Sequence, residues 1–564
     1  MMSGQGFLTP AIMQGQDWKG LELAIARIIS HCGWRDIQYV GGSGDKGADV
    51  LAVKTNPTTG RSESYLFQSK SVQSSGYVGV PAITQALQGQ AIYHTNIVVV
   101  VTNGDFTKSA IQKKDELQKE GYNVRLWNGV FLNKLWERCG EYSVAQKELR
   151  GYQTRIIETV ISAYKNKKKK AFFVVATGLG KTVIATAIAN QLFFSGVKKI
   201  LVLCHSVDLA LQLQQSSWPQ LSKYIPTRTF MDGEPPIPIE GVNFGLYQTL
   251  FGYLGGISPD EFDLIIVDEA HHALANAFSS CIEYLRPKFL VGMTATPWRG
   301  DGASIESIFG EALDSVSLVD GMRMGFLAKV EYHLMCDNIN WGQIPKLAKK
   351  QLSIRDLNKR LFIPQRDDAV IKQLLETMTT IPNPRIAIFS PSVMHAERFA
   401  AQLCSAGIRA ANLSVKDKIA RRERLLAFSS GKFTAVTAVD VLNEGIDVPD
   451  VNILVFLRAT HSRRIFVQQL GRGLRISKGK TRVVVLDFVT DIRRIAAVQD
   501  IDNEAKTGKA KDGVETVFLR DGVVTFSNKK AESFIQAWLA DVASLQDTDD
   551  AEHLTFPDIE ELQS

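Results

Sequence analysis

Ala176-Thr-Gly-Leu-Gly-Lys-Thr182 follows an apolar run, Ala171–Ala176, and opens a stretch with helical spacing. Phosphate oxygens are held by several inward-pointing N–H groups, and only a glycine-rich loop brings backbone that close. Thr177, Gly178 and Gly180 form the turn, Lys181 offers a charge to the β- and γ-phosphates of ATP, and the Thr182 hydroxyl reaches Mg²⁺. The loop opens with Ala176 rather than the glycine of the strict phosphate-loop pattern, so it needs a second signal beside it.

That signal lies further along the same stretch. Residues 142–320 alternate strand and helix, with strands expected at Ala171–Ala176, Lys199–Cys204, Asn243–Tyr247, Asp263–Val267 and Phe289–Met293. Such alternation marks a doubly wound parallel sheet. Asp268-Glu-Ala-His271 closes the apolar strand Asp263–Val267, where a carboxylate would stand beside the phosphate loop. Asp268 is suited to hold Mg²⁺ through water, and Glu269 to accept the proton of an attacking water. A structural ion-pair cluster is the other reading of these residues.

Residues 360–500 repeat the alternation, with strands at Ile386–Phe389, Thr434–Thr437, Asn452–Leu457 and Thr481–Leu486. Here Gln468-Gln-Leu-Gly-Arg472-Gly-Leu-Arg475 sets Arg472 and Arg475 three apart, on one face of a helix. Two guanidinium groups aimed at a γ-phosphate would neutralise the charge that develops on it; otherwise they are a plain surface pair. Residues 321–359 read as a connector. Residues 501–564 read as a small extension, with a hairpin around Arg520–Gly522 and an amphipathic helix near Ala531–Ala543.

Upstream, residues 1–141 read as one small α/β unit. A helix over 17–31 places Leu21, Ile25 and Ile28 on one face, and extended runs follow at Asp36–Val40, Ala48–Lys54 and Ser64–Lys70. A helix at Pro81–His94, a fully buried strand at Asn96–Thr102 and a further strand at Asn123–Trp127 complete the unit. Gly41-Gly-Ser-Gly-Asp-Lys-Gly-Ala-Asp49 lies between two strands, and Phe67-Gln-Ser-Lys70 ends the next. Metal-assisted phosphodiester cleavage requires a carboxylate on Mg²⁺, a second oxygen ligand, and a cation near the attacking water or the phosphate. Asp49, Gln68 and Lys70 supply these in order, and alternation along a strand turns Gln68 and Lys70 to the same side. A glycine-rich hairpin with Asp45 in its turn has the same appearance.

The bulk numbers agree with a polyanionic partner. The chain of 564 residues carries a net charge of +6, but residues 545–564 hold seven acidic side chains and no Lys or Arg. Without them, 65 basic and 52 acidic residues leave +13 on residues 1–544. The acidic tail itself reads as a solvated, frayed terminus. No run of eighteen apolar residues is present, so no membrane span is expected. The start of the chain lacks a secretory pattern, and the six cysteines form no CxxC pair. Both features predict a cytoplasmic protein.

At the motifs above the chain resembles the superfamily 2 helicases, in the DEAH-type branch shared with restriction motors, across about 145–495. By that resemblance, Gln153 reads adenine. His205 and Thr249 grip the nucleic-acid backbone, as does Ser390 of Ser390-Pro-Ser392. Thr294-Ala-Thr296 links hydrolysis to movement, and Gly445 and Asp447 of Asn443-Glu-Gly-Ile-Asp-Val-Pro449 lie between ATP and nucleic acid. Residues 14–138 resemble the Mrr-like restriction endonucleases of the PD-(D/E)xK fold. Glu22 then corresponds to the acidic residue of their first helix, and Gln68 stands where the wider superfamily has Asp or Glu.

The implied architecture is α/β: a restriction-endonuclease-like domain, two RecA-like parallel-sheet domains and a small C-terminal extension. The implied activity is an ATP-driven translocase with a Mg²⁺-dependent endonuclease acting on foreign DNA, working as a homo-oligomer or with a defence-system partner subunit. A DNA-repair helicase–nuclease, or a translocase whose N-terminal domain only binds DNA, is the alternative.

Overall fold

The structure is a computed structural model; it describes residues 6–41, 47–55, 60–73, 76–205, 207–230, 235–274, 276–295, 305–335, 351–353, 356, 367–415, 418–439, 451–457, 474, 476, 480, 482–488, 524–526 and 553–555. The chain divides into two compact units. One comprises residues 1–171, 182–268 and 275–291, and the other residues 172–181, 269–274 and 292–564.

The first strands are β1 (Arg35–Tyr39), β2 (Val50–Thr55), β3 (Ser62–Lys70), β4 (Tyr77–Val78), β5 (Ile97–Thr102), β6 (Asp105–Phe106) and β7 (Val124–Trp127). Five of them form a mixed sheet in the order β1-β2-β3-β5-β7, antiparallel from β1 to β3 and parallel from β3 to β7. Strands β4 and β6 pair separately. The run Ile97–Val101 is apolar without a break because both faces are covered. Val99 and Val101 pack with Leu21, Ile25 and Ile28 of the helix Trp18–His31, while Val98 and Val100 pack with Ile83 and Ala86 of the helix Val80–Tyr93. Asp17 starts the first of these helices by accepting the Gly20 N–H at 2.8 Å, satisfying one of the unpaired donors of its first turn.

Seven further strands are β8 (Lys170–Val175), β9 (Lys199–Cys204), β10 (Thr227–Thr229), β11 (Gly241–Leu246), β12 (Leu264–Val267), β13 (Phe289–Thr294) and β14 (Asp314–Val316). Their sheet runs β10-β11-β9-β12-β13-β8-β14. The remaining strands are β15 (Lys329–Met335), β16 (Gln351–Ser353), β17 (Ile386–Phe389), β18 (Ala410–Asn412), β19 (Ala435–Ala438), β20 (Ile453–Phe456), β21 (Arg482–Phe488), β22 (Val524–Phe526) and β23 (His553–Thr555). Seven of these form an all-parallel sheet, β18-β19-β17-β20-β21-β15-β22.

Taken in chain order, the two seven-stranded sheets use the same permutation. The first strand of each is sixth in its sheet, the second is third, the third is the edge, and the seventh closes the other edge. The matching order corrects three expectations. Residues 321–359 are not only a connector, since Lys329–Met335 pairs with β21 as the first strand of the second such sheet. The C-terminal extension contributes the seventh, Val524–Phe526, which runs parallel to β15. The tail expected to fray pairs at His553–Thr555 with Gln351–Ser353. The turn Arg520–Gly522 and the helix expected at Ala531–Ala543 lie outside the described residues. Among the described residues, no helix is long and apolar enough to cross a membrane.

Candidate functional site

The phosphate loop joins β8 to the helix Lys181–Phe194. Gly178 and Gly180 both stand at φ +88, a region where a Cβ would strain the backbone, and this lets the loop curl over its own N–H groups. The Thr177 hydroxyl is buried and has no hydrogen-bond partner. Lys181 Nζ donates to Glu269 Oε1 at 2.8 Å, with 12% and 15% of the two side chains exposed. Glu269 sits at φ +48, costly for a residue with a Cβ and a sign that the position is imposed by its surroundings. Asp268 precedes it at the end of β12, buried to 6%, its N–H bonded to Leu203 O at 2.9 Å. Thr182 occupies the first turn of the helix.

Behind the ion pair lies a contact that sequence reasoning did not assign. His271 Nδ1 is 2.8 Å from Thr294 Oγ1 and 3.4 Å from Glu269 Oε2, and both His271 and Thr294 are fully buried. The fourth position of Asp268-Glu-Ala-His271 thus ties the acidic strand end to the end of β13. The histidine in that position was the available signal.

The other motor residues are placed less directly. Gln153 is buried, and its Oε1 accepts the Arg150 N–H at 3.0 Å, so the amide caps the helix Gly151–Lys165. His205 follows the end of β9, and Thr249 lies in the helix Tyr247–Tyr253, buried to 8%. Ser390 follows β17, fully buried, its N–H bonded to Ala438 O at 2.8 Å and its hydroxyl unpartnered. Gly445, Asp447, Arg472, Arg475 and Thr296 lie outside the described residues.

A second centre is built where β2 meets β3. Val50 pairs with Phe67, which sets Asp49 against Gln68 one step along the ladder. Asp49 is 1% exposed, and its Oδ2 accepts from Gln68 Nε2 at 2.9 Å and from the Ser69 N–H at 2.5 Å. Gln68 Oε1 is buried with no partner. Glu22, buried to 4%, accepts the Tyr39 hydroxyl at 2.7 Å, and it approaches Gly41 so closely that a Cβ there would lie 2.6 Å from Glu22 Oε2. Lys70 ends β3 half-buried, opposite Thr102. Among the described residues there is no group of three or more His, Cys, Asp or Glu side chains arranged around one metal position. The donor set still fits a hard divalent cation, which takes oxygen ligands: the Asp49 carboxylate and an amide oxygen, Gln68 Oε1, that nothing else satisfies. Turning the Gln68 amide over would bring that oxygen to the carboxylate.

Three stretches of the chain match known families. Residues 13–136 match a family described as restriction endonuclease, residues 146–299 the type III restriction enzyme res subunit, and residues 368–477 the helicase conserved C-terminal domain. The chain thus carries an Mrr-type endonuclease domain, then a stretch of the type III res-subunit family and a helicase C-terminal domain. The chain is similar to the type I restriction enzyme EcoAI endonuclease subunit of Escherichia coli, 25% identical over 64% of this chain and 49% of that one. It is also similar to the DNA 3'-5' translocase XPB2 of Sulfurisphaera tokodaii, 25% identical over 61% of this chain and 82% of that one. In fold, the chain resembles the ATP-dependent type ISP restriction-modification enzyme LlaBIII bound to DNA. The TM-score is 0.52 at 16% identity, over 94% of this chain and 42% of that one. The chain therefore spans about half the length of relatives such as the EcoAI subunit.

Proposed function

We propose that the chain is an ATP-dependent DNA translocase whose N-terminal domain is a Mg²⁺-dependent endonuclease directed at foreign DNA. The observation that carries the motor is the Lys181–Glu269 ion pair at the mouth of a glycine loop. A lysine neutralised by the general base is poised for exchange. When the β- and γ-phosphates of ATP take up Lys181, Glu269 is released to orient and deprotonate a water. Thr182 and Asp268 would hold the accompanying Mg²⁺. Arg472 and Arg475 would supply the opposing positive charge, so that binding and hydrolysis favour different arrangements of the chain and drive stepping. His271 and Thr294 carry the state of Glu269 into the sheet. The partner is DNA, met by the chain as a homo-oligomer or with a further subunit.

In the endonuclease domain, Asp49, Gln68 and Glu22 would hold Mg²⁺, whose chemistry is to polarise the phosphodiester and acidify water. Lys70 lies beside this corner to steady the attacking water or the phosphate. A specific observation favours a second reading, in which the domain binds DNA without cutting. Gln68 stands in place of a carboxylate and already satisfies Asp49 through Nε2. The test is DNA degradation with Mg²⁺ and ATP on linear, circular, modified and unmodified DNA, comparing the wild type with Lys70→Ala. Loss of cutting with ATP turnover retained supports the endonuclease; unchanged degradation supports the binding domain.

A further inference from the structure

Two buried cations cross between the endonuclease domain and the segment 217–230 of the motor, within one compact unit. Arg27, on the helix that carries Glu22, is 1% exposed and donates from Nη1 to Ile225 O at 2.8 Å and from Nη2 to Ser222 O at 3.0 Å. Lys223 reaches the opposite way, 6% exposed, with Nζ on Cys139 O at 2.8 Å and Trp136 O at 3.2 Å. Phe7 lies under the guanidinium at 4.4 Å, and Trp136 lies 4.5 Å from the ammonium. Backbone bonds run alongside: Phe7 N–H to Lys223 O at 3.0 Å and Lys223 N–H to Glu141 O at 2.8 Å. Trp218 is part of the endonuclease core itself.

Among the described residues no carboxylate pairs with either cation. A buried charge held only by carbonyl oxygens tolerates no slippage, because any displacement leaves it desolvated and unpartnered. We propose that Arg27 and Lys223 form a reciprocal clamp that makes the endonuclease domain and this part of the motor one rigid body, with Arg27 a positioning residue for cleavage. Arg27 acts through the Trp18–His31 helix, holding Glu22 against the Asp49 corner while the motor steps. The clamp's effect on cleavage rests on reading that corner as the cutting centre.

The test uses the full chain with Arg27→Met, Arg27→Lys and Lys223→Met. Three readouts are taken: the Mg²⁺ concentration for half-maximal DNA cleavage, DNA-stimulated ATP turnover, and limited proteolysis across residues 141–150. Arg27→Met is expected to raise the Mg²⁺ requirement roughly 10–100-fold, the usual cost of losing support behind a metal ligand. ATP turnover stays unchanged, residues 141–150 become cleavable, and Arg27→Lys restores part of the Mg²⁺ response. An unchanged Mg²⁺ requirement, or a proportional fall of cleavage and ATP turnover, overturns the proposal. If Arg27→Met does not fold, Lys223→Met makes the same comparison. If the wild type cuts no DNA, the cleavage reading fails by itself, and the clamp is then judged by proteolysis: equal protection of 141–150 in wild type and variants overturns it.

Discussion

The phosphate loop and the Asp49 corner both sit where buried strands end, yet their carboxylates differ in burial and in the hydrogen bonds they accept. At the loop, Lys181 faces Glu269 in an ion pair that keeps some contact with solvent. At the corner, Asp49 is almost wholly buried and receives two hydrogen bonds from neutral groups. An ion pair between partly exposed groups is weak and exchanges readily when a stronger ligand arrives. A metal arriving at Asp49 would have to displace the Gln68 amide and the Ser69 N–H that its Oδ2 already accepts. Under the proposed function, the Lys181–Glu269 pair must open at each turnover, whereas the Asp49 corner must exchange hydrogen bonds for a metal.

The largest effect that could break this contrast is at the loop. Lys181→Ala should reduce ATP turnover by roughly 10²–10³, the cost of removing one preorganised charge from a developing anion. Residual cutting at high Mg²⁺ should survive if the two centres are chemically separate, and a steady-state phosphate-release assay beside a nicking assay reads both. A smaller change tests the corner. Gln68→Glu adds the missing charge, so Mg²⁺ should bind about tenfold more tightly, and thermal stability should rise with Mg²⁺ more steeply than in the wild type. Without Mg²⁺ the introduced carboxylate would repel that of Asp49 and make the same variant less stable. A flat Mg²⁺ response in both proteins would remove the metal from this corner.

The smallest effect separates the two sides by pH. His31, on the Glu22 helix, is held down to about 3, first by burial and then by the charges of Arg27 and Lys223. Its unfolded form takes a proton near the ordinary histidine value, so the unfolded state binds more protons below that point. Stability is fully present above about pH 6.5 and declines as pH falls toward 3, by on the order of 1 kcal/mol over the first unit. Thermal melts at pH 7 and 5.5 should show this loss, and His31→Leu should flatten it. An equal slope in the variant would assign the acid sensitivity elsewhere.

The sequence determined whatever is local. Glycine at 178 and 180, followed by Lys181, encodes a loop whose backbone only glycine adopts readily. Asp268 and Glu269 after four apolar residues encode carboxylates at a buried strand end, and the unbroken Ile97–Val101 run encodes a strand covered on both faces. Only the tertiary structure decided which distant segments complete a sheet. Lys329–Met335 and Val524–Phe526 are short and locally ambiguous, and they become strands because an open edge offers them hydrogen bonds. It also decided partners: His271 with Thr294, and Arg27 with carbonyls about two hundred residues away. Backbone conformation is written in neighbouring side chains, whereas the desolvation that selects such pairings exists only once the chain has closed around them.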